Sequence, residues 1–492
     1  MLERPPDMFD RVTEWSALAR FIADDQPGAT LGVVSGRRRQ GKTYLLDAAC
    51  QATGGFYFAA TEGTDAESLR RIGEALTDQL RPAAPIRPAS WDEVIDLLLT
   101  IGANGPTPVV IDEFPYLARA DPSLPSVIQT AFGPRRGRRT ASQTRLLLCG
   151  SAMSFMGRLL AGNAPLRGRA GLELVVHPLD YRLAAQFWGI TDAQLALRVH
   201  AIVGGTPAYR REFARGDVPT DLADFDHWVT RTVLDPSSPL FREARYLLAE
   251  EPGTRDTALY HSVLAAVAEG NTTRGGIANY LGRKATDVAH PLTVLEDVGL
   301  LRRENDAFRS SRSTFEIAEP LIAFYHAVMR PVWAQLERPG AAARVWHASQ
   351  KRFIGNVLGP HLEQVCRAWA LTPAASALLP QDAAPASVGS GVVNDAAGRT
   401  THQIDVAVLG LPADNGPTPL LSIGEVKWGD VMGIRHLERL RHVADLIHRG
   451  GRYDTSHLRL ACYSAAGFTL DLTAEAAAGH VTLISPDDLY RP

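Results

Sequence analysis

The feature that most constrains this chain is a glycine-rich run between an apolar stretch and a helical pattern. The run reads GRRRQGKT, from Gly36 to Thr43, and the apolar residues Leu31 to Val34 precede it. It fits the spacing G-x-x-x-x-G-K-T in a strand–loop–helix context, in which backbone N–H groups surround phosphate oxygens. Lys42 would reach the β- and γ-phosphates, the Thr43 hydroxyl would hold Mg²⁺, and the helix N-terminus would add partial positive charge. The sequence therefore predicts an ATP site, to which we assign Gly36, Arg37, Arg38, Arg39, Gln40, Gly41, Lys42, Thr43 and Tyr44.

A second run supplies the acidic residues that such a loop requires. TPVVIDEFPYL, from Thr107 to Leu117, contains three apolar residues of buried-strand type and then Asp112 and Glu113. Buried parallel strands have this composition. Asp112 would hold Mg²⁺, usually through water, and Glu113 would orient or deprotonate the attacking water. The alternative is a pair of solvated acids at a strand end, and a phosphate loop about 70 residues upstream argues against it.

Two further polar positions extend this site. An apolar run from Thr144 ends in Gly150 and Ser151, and Ser151 would lie between the acid strand and the γ-phosphate, where it could sense hydrolysis. A plain serine in a strand-to-turn segment is the alternative. Arg169, with Arg167 as second choice, lies in the loop NAPLRGRAG and would act as a finger on the transferring phosphoryl group, in cis or from a neighbour. A solvated loop arginine is the alternative there.

With these motifs, the stretch from about Phe9 to Arg245 resembles the archaeal-type ATPases of the AAA+/STAND group. The shared elements are a short FxxRxxE box, the phosphate loop, an IDEF acid strand, a GSxxSxM strand end and a GGxPxY element. In this chain they stand at Phe9, Arg11 and Glu14; Gly36 to Thr43; Ile111 to Phe114; Gly150 to Met156; and Gly204 to Tyr209. Asp10 replaces the glycine that usually precedes the box arginine. The resemblance implies an ATPase with Mg²⁺ and a helical lid that begins at GGxPxY. It leaves the oligomeric state open, because such relatives are often monomeric at rest.

Composition restricts the class of protein further. A chain of 492 residues predicts roughly three domains. The formal net charge is −3, so any contact with nucleic acid must come from local basic patches. The four cysteines stand apart in apolar segments, which favours buried reduced thiols over a zinc site or a disulfide framework. The N-terminus does not read as a signal peptide and no apolar run is long enough to span a membrane, so we expect a cytoplasmic protein.

The middle of the chain predicts a winged helix–turn–helix. Three helical patterns, the second with Asn271 or Thr272 as N-cap, are followed by a short hairpin pattern. The third helix is the usual reader of the major groove. The residues that would lie on or near that helix are Arg283, Lys284, Thr286 and His290, and those that would flank the wing are Arg302, Arg303, Arg309 and Arg312. The alternative is a lid or a protein contact whose basic rim is only a solvated face.

The C-terminal third has the element order α-β-β-β-α-β. Asp405 lies in its second strand and the run GEVKW, with Glu425 and Lys427, lies in its third. Asp405 and Glu425 would hold one or two Mg²⁺ ions, and Glu363 on the first helix could add a ligand or a supporting contact. Lys427 shares a strand face with Glu425 because side chains alternate, so it would position or activate the water.

This third resembles the nuclease-like C-terminal domain of unknown function in the same archaeal-type ATPases, within the PD-(D/E)xK fold. The family motif EID…GEVKW reads here as Gln403 to Asp405 and Gly424 to Trp428, and a further element, YSAAGF, begins at Tyr463. Gln403 replaces the expected glutamate and removes one negative charge. The alternative to a nuclease is a degenerate fold that is kept as a binding platform.

These predictions together describe an α/β chain of several folded regions. A P-loop NTPase core with an AAA+-like parallel sheet covers residues 1–190, and a helical lid covers 191–252. A winged helix–turn–helix covers 253–330 and a linker 331–346. A restriction-endonuclease-like α/β domain covers 347–492.

Two functions fit these observations. In the first, an ATPase controls a DNA-binding winged helix and a Mg²⁺-dependent nuclease-like domain through its nucleotide state, with DNA cleavage itself an open question. In the second, the same chain is a nucleotide-gated switch that binds DNA or protein partners without cleavage. A plain transcription regulator is a third idea, for which the chain is larger than necessary.

Overall fold

The computed structural model describes residues 2–134, 136–249, 257–309, 311–380, 383–412 and 416–491. These residues divide into two compact units, with unit 1 extending to Pro178 and unit 2 beginning at Leu179. The predicted boundary between residues 252 and 253 lies outside the described residues, and the other predicted boundaries stay predictions. In the described part of the chain, no helix is long and apolar enough to cross a membrane.

Unit 1 is built on a five-stranded parallel sheet. The strands are β1 (Thr30–Ser35), β2 (Phe56–Ala59), β3 (Thr107–Asp112), β4 (Thr144–Gly150) and β5 (Ala170–Val175). Their spatial order is β2-β3-β4-β1-β5, and all neighbours run parallel. The order places β4 between the strand that precedes the phosphate loop and the strand that ends in Asp112. The carboxyl ends of these three strands therefore share one edge of the sheet.

Helices cover both faces of this sheet. They are α1 (Val12–Ala23), α2 (Lys42–Thr53), α3 (Asp65–Leu80), α4 (Trp91–Ile101), α5 (Phe114–Ala120), α6 (Leu124–Ala131), α7 (Gly137–Thr140) and α8 (Met153–Leu160). Val109 and Ile111 join one buried cluster with residues of α3 to α6, whereas Val110 joins another with residues of α1 and α2. Because both faces are covered, β3 and β4 are buried at nearly every position.

Unit 2 begins with a helical region that contains several π-helical turns. Its helices up to residue 369 are α9 (Tyr181–Trp188), α10 (Ala193–Val203), α11 (Phe225–Trp228), α12 (Pro239–Ala249), α13 (Thr257–Ala268), α14 (Arg274–Tyr280), α15 (Ala289–Asp297), α16 (Pro320–Phe324), α17 (Trp333–Leu336), α18 (Ala342–Phe353) and α19 (Gly359–Trp369). The π-helical turns are Tyr209–Phe213, Val229–Val233, Tyr325–Met329 and Ile354–Leu358, and the 3-10 turns are Arg330–Val332 and Pro373–Leu378.

Three of these helices precede a two-stranded antiparallel hairpin. After α13, α14 and α15, the chain forms β6 (Leu301–Asn305) and β7 (Ser313–Ile317). The predicted N-cap of α14 at Asn271 or Thr272 is wrong. Thr273 has the extended backbone of an N-cap, and its side chain accepts a hydrogen bond from the amide of Gly276 at 3.1 Å.

The last part of unit 2 is a separate sheet domain. This confirms the prediction that the C-terminal third forms its own α/β region. Its strands are β8 (Pro385–Asp395), β9 (Thr400–Gly410), β10 (Thr418–Lys427), β11 (Tyr453–Asp454), β12 (Arg459–Ser464) and β13 (Thr482–Ile484). The order is β13-β12-β10-β9-β8, with β11 beside β10. The β8–β9 and β9–β10 pairs are antiparallel, and the other pairs are parallel. The remaining helices are α20 (Ile434–Gly450), α21 (Leu470–Ala477) and α22 (Pro486–Tyr490).

Two helices cover opposite faces of this second sheet. Val406 and Val408 of β9 cluster with apolar residues of α19, whereas Ala407 clusters with Ile423 of β10 and apolar residues of α20. Side chains along a strand alternate between faces, so adjacent residues of β9 belong to different layers. This three-layer arrangement positions the residues that follow.

Candidate functional site

The phosphate loop of unit 1 depends on two glycines in conformations that other residues rarely adopt. Gly36 has φ 152° and Gly41 has φ 90°. A Cβ at Gly36 would lie 2.4 Å from the main-chain oxygen of Val176, so only glycine fits between the loop and its neighbour. Gly41 precedes α2, which begins at Lys42, so the loop leads directly into a helix N-terminus. This is the geometry that exposes backbone N–H groups to an anion.

Lys42 is buried within this loop. Its Nζ donates to the carbonyl oxygen of Gly36 at 2.6 Å and to that of Arg37 at 2.8 Å. Burial lowers the pKa of Lys42, while the nearby carboxylates of Glu113 and Asp112 work in the opposite direction. The amine is therefore held at the centre of the loop by bonds that phosphate oxygens could replace.

Asp112 lies at the end of β3 as a shared acceptor. Its Oδ2 accepts hydrogen bonds from the Thr43 hydroxyl at 2.8 Å and from the Tyr57 hydroxyl at 2.6 Å. Burial pushes the pKa of Asp112 upward, but hydrogen bonds from Cys149, Tyr57 and Thr43 hold it below the ordinary value. The structure therefore brings together the two predicted magnesium ligands of unit 1, with the carboxyl group in its charged form.

Glu113 and Ser151 meet at the same sheet edge. The Ser151 hydroxyl lies 3.0 Å and 3.1 Å from the two carboxylate oxygens of Glu113. Glu113 has φ 52°, an uncommon backbone conformation for a residue with a side chain. Strained conformations of this kind persist where the surrounding structure enforces them, often at functional sites. The contact exists because β3 and β4 are parallel neighbours.

The predicted arginines have different surroundings. Arg38 donates to the Tyr116 hydroxyl at 3.1 Å. The guanidinium of Arg167 donates to the carbonyl oxygen of Gly162 at 2.6 Å, and Arg169 is half-buried in the turn before β5. The finger role of Arg169 stays a prediction.

Three contacts at this site had no strong signal in the sequence. Tyr57 binds Asp112 from β2, and nothing in its local pattern separates it from an ordinary strand tyrosine. Arg11 is buried and donates to the carbonyl oxygens of Gln40 at 3.0 Å and His177 at 2.8 Å. The box arginine thus supports the backbone of the phosphate loop, which its motif alone did not reveal.

In unit 2, Asp405 lies where the sheet becomes irregular. The pairing of β9 with β10 stops at Val406 and Gly424, one residue before Asp405 and Glu425 would pair. The pairing of β9 with β8 shifts register at the same place. Such a shift can redirect a side chain. Asp405 is buried, and its Oδ2 accepts a hydrogen bond from the Val426 amide at 2.9 Å.

Glu425 and Lys427 lie side by side, as the alternation of side chains requires. Lys427 Nζ is 3.0 Å from Glu425 Oε1, and Arg439 of α20 is 2.7 Å from Glu425 Oε2. Burial opposes the charge on both partners, but the pair lowers the pKa of Glu425 and raises that of Lys427. Lys427 is therefore a protonated group that can position or polarise a water rather than accept its proton. Sequence patterns did not single out Arg439, because it lies on a helix whose basic residues are typical of a solvent-exposed face.

Glu363 of α19 belongs to the same constellation. Burial raises the pKa of Glu363 to about 8, and the charge of Asp405 adds to this effect. Burial also raises the pKa of Asp405, against the hydrogen bond from Val426. Arg367 Nη1 lies 3.7 Å from Glu363 and donates to the main-chain oxygen of Asp405 at 3.2 Å. Burial therefore favours the protonated form of both Glu363 and Asp405, and the nearby positive charge of Arg367 does not fully offset this effect.

Gln403 takes the position of the glutamate that the resemblance leads one to expect. Its Nε2 donates to Asp405 Oδ1 at 3.2 Å, and its main-chain oxygen accepts from Arg439 at 2.8 Å. An ionised glutamate here could not donate to Asp405 and would add a fourth carboxyl group to the cluster. The substitution therefore orients Asp405 rather than leaving it unsupported.

The basic residues of the three-helix region separate into two groups. Arg283, Lys284 and Thr286 are exposed in the turn before α15, and His290 is exposed in its first turn. The arginines of the β6–β7 hairpin instead contact other residues of unit 2. Arg302 pairs with Glu316, Arg303 with Glu296, Arg312 with Asp306 and Arg309 with Asn394.

The tip of the hairpin docks on the C-terminal sheet. Phe308 is 8% exposed, lies in the cluster formed by β9, β10 and α20, and meets the Tyr453 ring edge-on at 5.7 Å. The Tyr453 hydroxyl donates to the carbonyl oxygen of Ala307 at 2.8 Å, and the Ala307 amide donates to Ser390 at 2.9 Å. The hairpin is therefore a buried connection to the sheet domain in this conformation.

Both constellations contain the oxygen donors that Mg²⁺ prefers. In unit 1 these are the hydroxyl of Thr43 and the carboxylate of Asp112, which would share the ion with phosphate oxygens. In unit 2 they are the carboxylates of Asp405, Glu425 and Glu363. The oxygens of Thr43 and Asp112 lie 2.8 Å apart, as a shared cation requires. Among the described residues, the three carboxylates of unit 2 do not form a group of ligand atoms within 4.8 Å of one another.

Comparisons with known proteins bear on the fold. No family model matches this chain. An uncharacterised protein of Methanocaldococcus jannaschii, MJECL04, is 26% identical over 355 residues, which cover 71% of this chain and 74% of that protein.

Among solved structures, the chain is similar to the Walker-type ATPase paby2304 of Pyrococcus abyssi. That similarity has a TM-score of 0.50 and 20% identity, and it covers 66% of this chain and 97% of that one. The ORC2 protein of Aeropyrum pernix, as ADPNP–ADP complexes, gives a TM-score of 0.39 at 14% identity, over 71% of this chain and 97% of that one. The five-stranded parallel sheet, its phosphate loop and the similarity to the Pyrococcus protein show that unit 1 has the P-loop NTPase fold.

Proposed function

We propose that this chain binds and hydrolyses ATP, and that its nucleotide state controls DNA binding and a Mg²⁺-dependent nuclease-like site in unit 2, in the manner of AAA+/STAND proteins. One observation carries the ATPase part of the proposal. Hydrogen bonds join Thr43, Asp112, Glu113 and Ser151 at one edge of the sheet. Lys42 lies beside Thr43 at the start of α2, with its Nζ on the carbonyl oxygens of the phosphate loop.

Each of these residues has a role that follows from its contacts. Lys42 exchanges its carbonyl partners for β- and γ-phosphate oxygens. Thr43 and Asp112 would hold Mg²⁺, which neutralises charge on the phosphates when it is bound. Glu113 accepts a hydrogen bond from the attacking water. Ser151 holds the carboxylate of Glu113 beside the phosphoryl group. Phosphoryl transfer needs mainly such positioning and charge stabilisation.

The second part of the proposal concerns the C-terminal sheet. Asp405, Glu425 and Glu363 would hold Mg²⁺ in a nuclease-like site, and protonated Lys427 would polarise the attacking water. The raised pKa values of Glu363 and Asp405 support a cation site, because a bound divalent ion would stabilise both carboxylates.

DNA binding is proposed for the three-helix region, read as a winged helix–turn–helix. Arg283, Lys284 and Thr286 are exposed in the turn before α15, and His290 is exposed on α15 itself. The hairpin arginines contribute less in this conformation, since Glu316, Glu296, Asp306 and Asn394 already occupy them.

The ATPase proposal is tested with purified full-length variants. Lys42→Ala should lose ATP binding. Glu113→Gln should retain binding but lose at least about 100-fold in turnover, which is the usual contribution of a positioned acid or base. Arg70→Ala, an exposed residue of α3, is the matched control. Unchanged turnover in Glu113→Gln would remove that residue from its assigned role, and unchanged binding in Lys42→Ala would contradict the nucleotide site.

The nuclease proposal is tested with plasmid DNA, ATP and Mg²⁺ or Mn²⁺. Asp405→Ala and Lys427→Ala should abolish cleavage, whereas Glu438→Ala, an exposed acid beside Arg439, should leave it unchanged. Cleavage that survives both substitutions would come from a contaminant and would overturn this part of the proposal. Cleavage with ATP but not with ADP would show control by the nucleotide state.

The second candidate function is a nucleotide-gated switch that does not cut. It is favoured by the ion pairs at Glu425, because Lys427 and Arg439 already occupy one carboxylate oxygen each. Absence of cleavage together with a change in DNA affinity between ATP and ADP would support it. Equal DNA and partner affinity with ATP, with ADP and in Lys42→Ala would exclude it.

A further inference from the structure

A group of three side chains in the C-terminal sheet domain lies apart from both sites described above. Asp395 ends β8, His402 lies near the start of β9, and His442 lies in the middle of α20. The β8–β9 hairpin brings the first two together, and α20 packs on the same sheet. One ligand atom from each residue lies within 4.8 Å of the others.

The distances are close to those of a bound metal. Asp395 Oδ2 lies 2.9 Å from His442 Nε2 and 3.8 Å from His402 Nε2. Zinc bonds of 2.0–2.1 Å in tetrahedral geometry place ligand atoms about 3.3 Å apart. The Asp395 oxygen therefore lies within about half an ångström of that spacing from each of the two nitrogens.

The carboxylate is already oriented for such a role. Asp395 Oδ1 accepts a hydrogen bond from the Gly398 amide at 2.8 Å within the hairpin turn, which leaves Oδ2 directed at the two imidazoles. Carboxylates that bind a metal usually accept such a supporting hydrogen bond from a neighbouring group. Gly398 also lies so close that a Cβ there would be 2.6 Å from Asp395 Oδ2, so the turn is built around this carboxylate.

His402 supplies the independent observation. Its Nε2 is buried, and within the described part of the chain it makes no hydrogen bond. A buried polar nitrogen without a partner destabilises the folded state, because it has lost its hydrogen bonds to water. A metal ion at the centre of the group would give this nitrogen a partner that the protein does not provide.

The donor set selects the class of ion. We propose that Asp395, His402 and His442 form a Zn²⁺ site that fastens the β8–β9 hairpin to α20. Two imidazoles and one carboxylate suit Zn²⁺ or a similar late first-row ion, whereas Mg²⁺ and Ca²⁺ prefer oxygen donors throughout. The side chain of His442 is 48% exposed, so solvent reaches the group, and a water would complete the fourth position on a bound ion.

This site is distinct from the proposed nuclease centre, but α20 connects the two. Arg439 lies three residues before His442 on α20 and holds both Glu425 and the main-chain oxygen of Gln403. A metal that fixes α20 on the hairpin also fixes the helical turn that carries Arg439.

Co²⁺ is the probe for the test, since its visible absorption distinguishes tetrahedral from octahedral coordination. Metal-free full-length protein is titrated with Co²⁺, and Zn²⁺ is then added as a competitor. Wild type should bind one equivalent with tetrahedral-type absorption that Zn²⁺ displaces. His402→Gln and His442→Gln should each weaken binding at least about tenfold, the smallest loss expected when a metal site is disturbed.

Two further variants make the outcome specific. His480→Gln is the matched control, because His480 pairs with a single carboxylate, Glu475, at 3.0 Å and belongs to no three-residue group among the described residues. Asp405→Asn separates this site from the proposed nuclease centre and should retain the Co²⁺ absorption. The proposal is overturned if wild type shows no such absorption, if both histidine variants bind like wild type, or if Asp405→Asn alone abolishes the signal. Circular dichroism of the His442 variant, whose side chain is half-exposed, confirms that lost binding is not lost folding.

Discussion

Phe308→Ala should release the tip of the β6–β7 hairpin from the C-terminal sheet. Phe308 is 8% exposed, packs edge-on against Tyr453 and approaches Gly391 so closely that a Cβ there would lie 2.5 Å from its ring. Truncating a buried phenylalanine typically costs 3–5 kcal/mol. We take the lower end, about 3 kcal/mol, because the tip lies at the margin of the core and the hydrogen bonds of Ala307 with Ser390 and Tyr453 remain.

Amide hydrogen exchange measures this loss locally. The amides of Ala307 and Val392 report docking, since the first donates to Ser390 and the second to the carboxylate of Asp306. A cost of about 3 kcal/mol corresponds to roughly a 150-fold loss of protection when exchange follows local opening. Local exchange is the appropriate assay because a chain with two units need not unfold in one step.

Two variants separate ring packing from hydrogen bonding. Tyr453→Phe removes the hydroxyl bond to Ala307 but keeps the ring, so it should cost about 1 kcal/mol, or roughly fivefold in protection. Leu470→Ala, at a position 90% exposed, should change nothing. The reasoning is refuted if Phe308→Ala behaves like Leu470→Ala, or if Tyr453→Phe costs more than Phe308→Ala.

Three other predictions follow from single residues. Gly36→Ala should abolish tight ATP binding in a fluorescent-nucleotide titration, because the added methyl would lie 2.4 Å from a carbonyl oxygen. Gly157→Ala, in open space on α8, should be neutral or stabilise by up to about 1 kcal/mol, and equal behaviour of the two variants would contradict the argument. Burial raises the pKa of Cys50 and Cys462 to about 12, so at pH 8 their thiolate should be about 10³-fold rarer than that of an ordinary thiol. Mass spectrometry should find both unlabelled by iodoacetamide until denaturant is added, and prompt labelling would refute their burial. The pKa of Glu363, raised to about 8, means that the folded state keeps a proton that the unfolded chain loses near 4.5. The carboxyl group therefore costs stability increasingly between these pH values, and Glu363→Gln should gain at most about 1.4 kcal/mol per pH unit over that window in urea unfolding. A difference that does not change with pH over this window would show that burial does not raise the pKa of Glu363.

The phosphate loop and the acid strand could be predicted because their information is local. Strand, loop and helix follow one another without a break from Leu31 to Thr43, and the glycines satisfy a backbone geometry within eight residues. The acids at Asp112 and Glu113 follow directly from an apolar strand. The order of helices and strands in the last third was predictable for the same reason, since each element has its own apolar period.

Contacts between distant residues could not be obtained in this way. Ser151 meets Glu113, and Tyr57 meets Asp112, because β4 lies between β1 and β3 and β2 lies beside β3. That order is a property of the assembled sheet, and many orders bury the same apolar strands equally well. The role of Arg169 as a finger stays a prediction for the same reason.

Local patterns in the sequence predicted the segments that would carry chemistry: the loop at Gly36, the acids at the end of β3, and the pair Asp405 and Glu425. The folded chain brought further side chains to these segments. It placed Arg439 on Glu425, inserted Phe308 into the C-terminal core, and grouped Asp395 with His402 and His442. The physical reason is that spacing along the chain encodes strands, turns and helices, whereas register shifts and packing between layers decide which side chains meet.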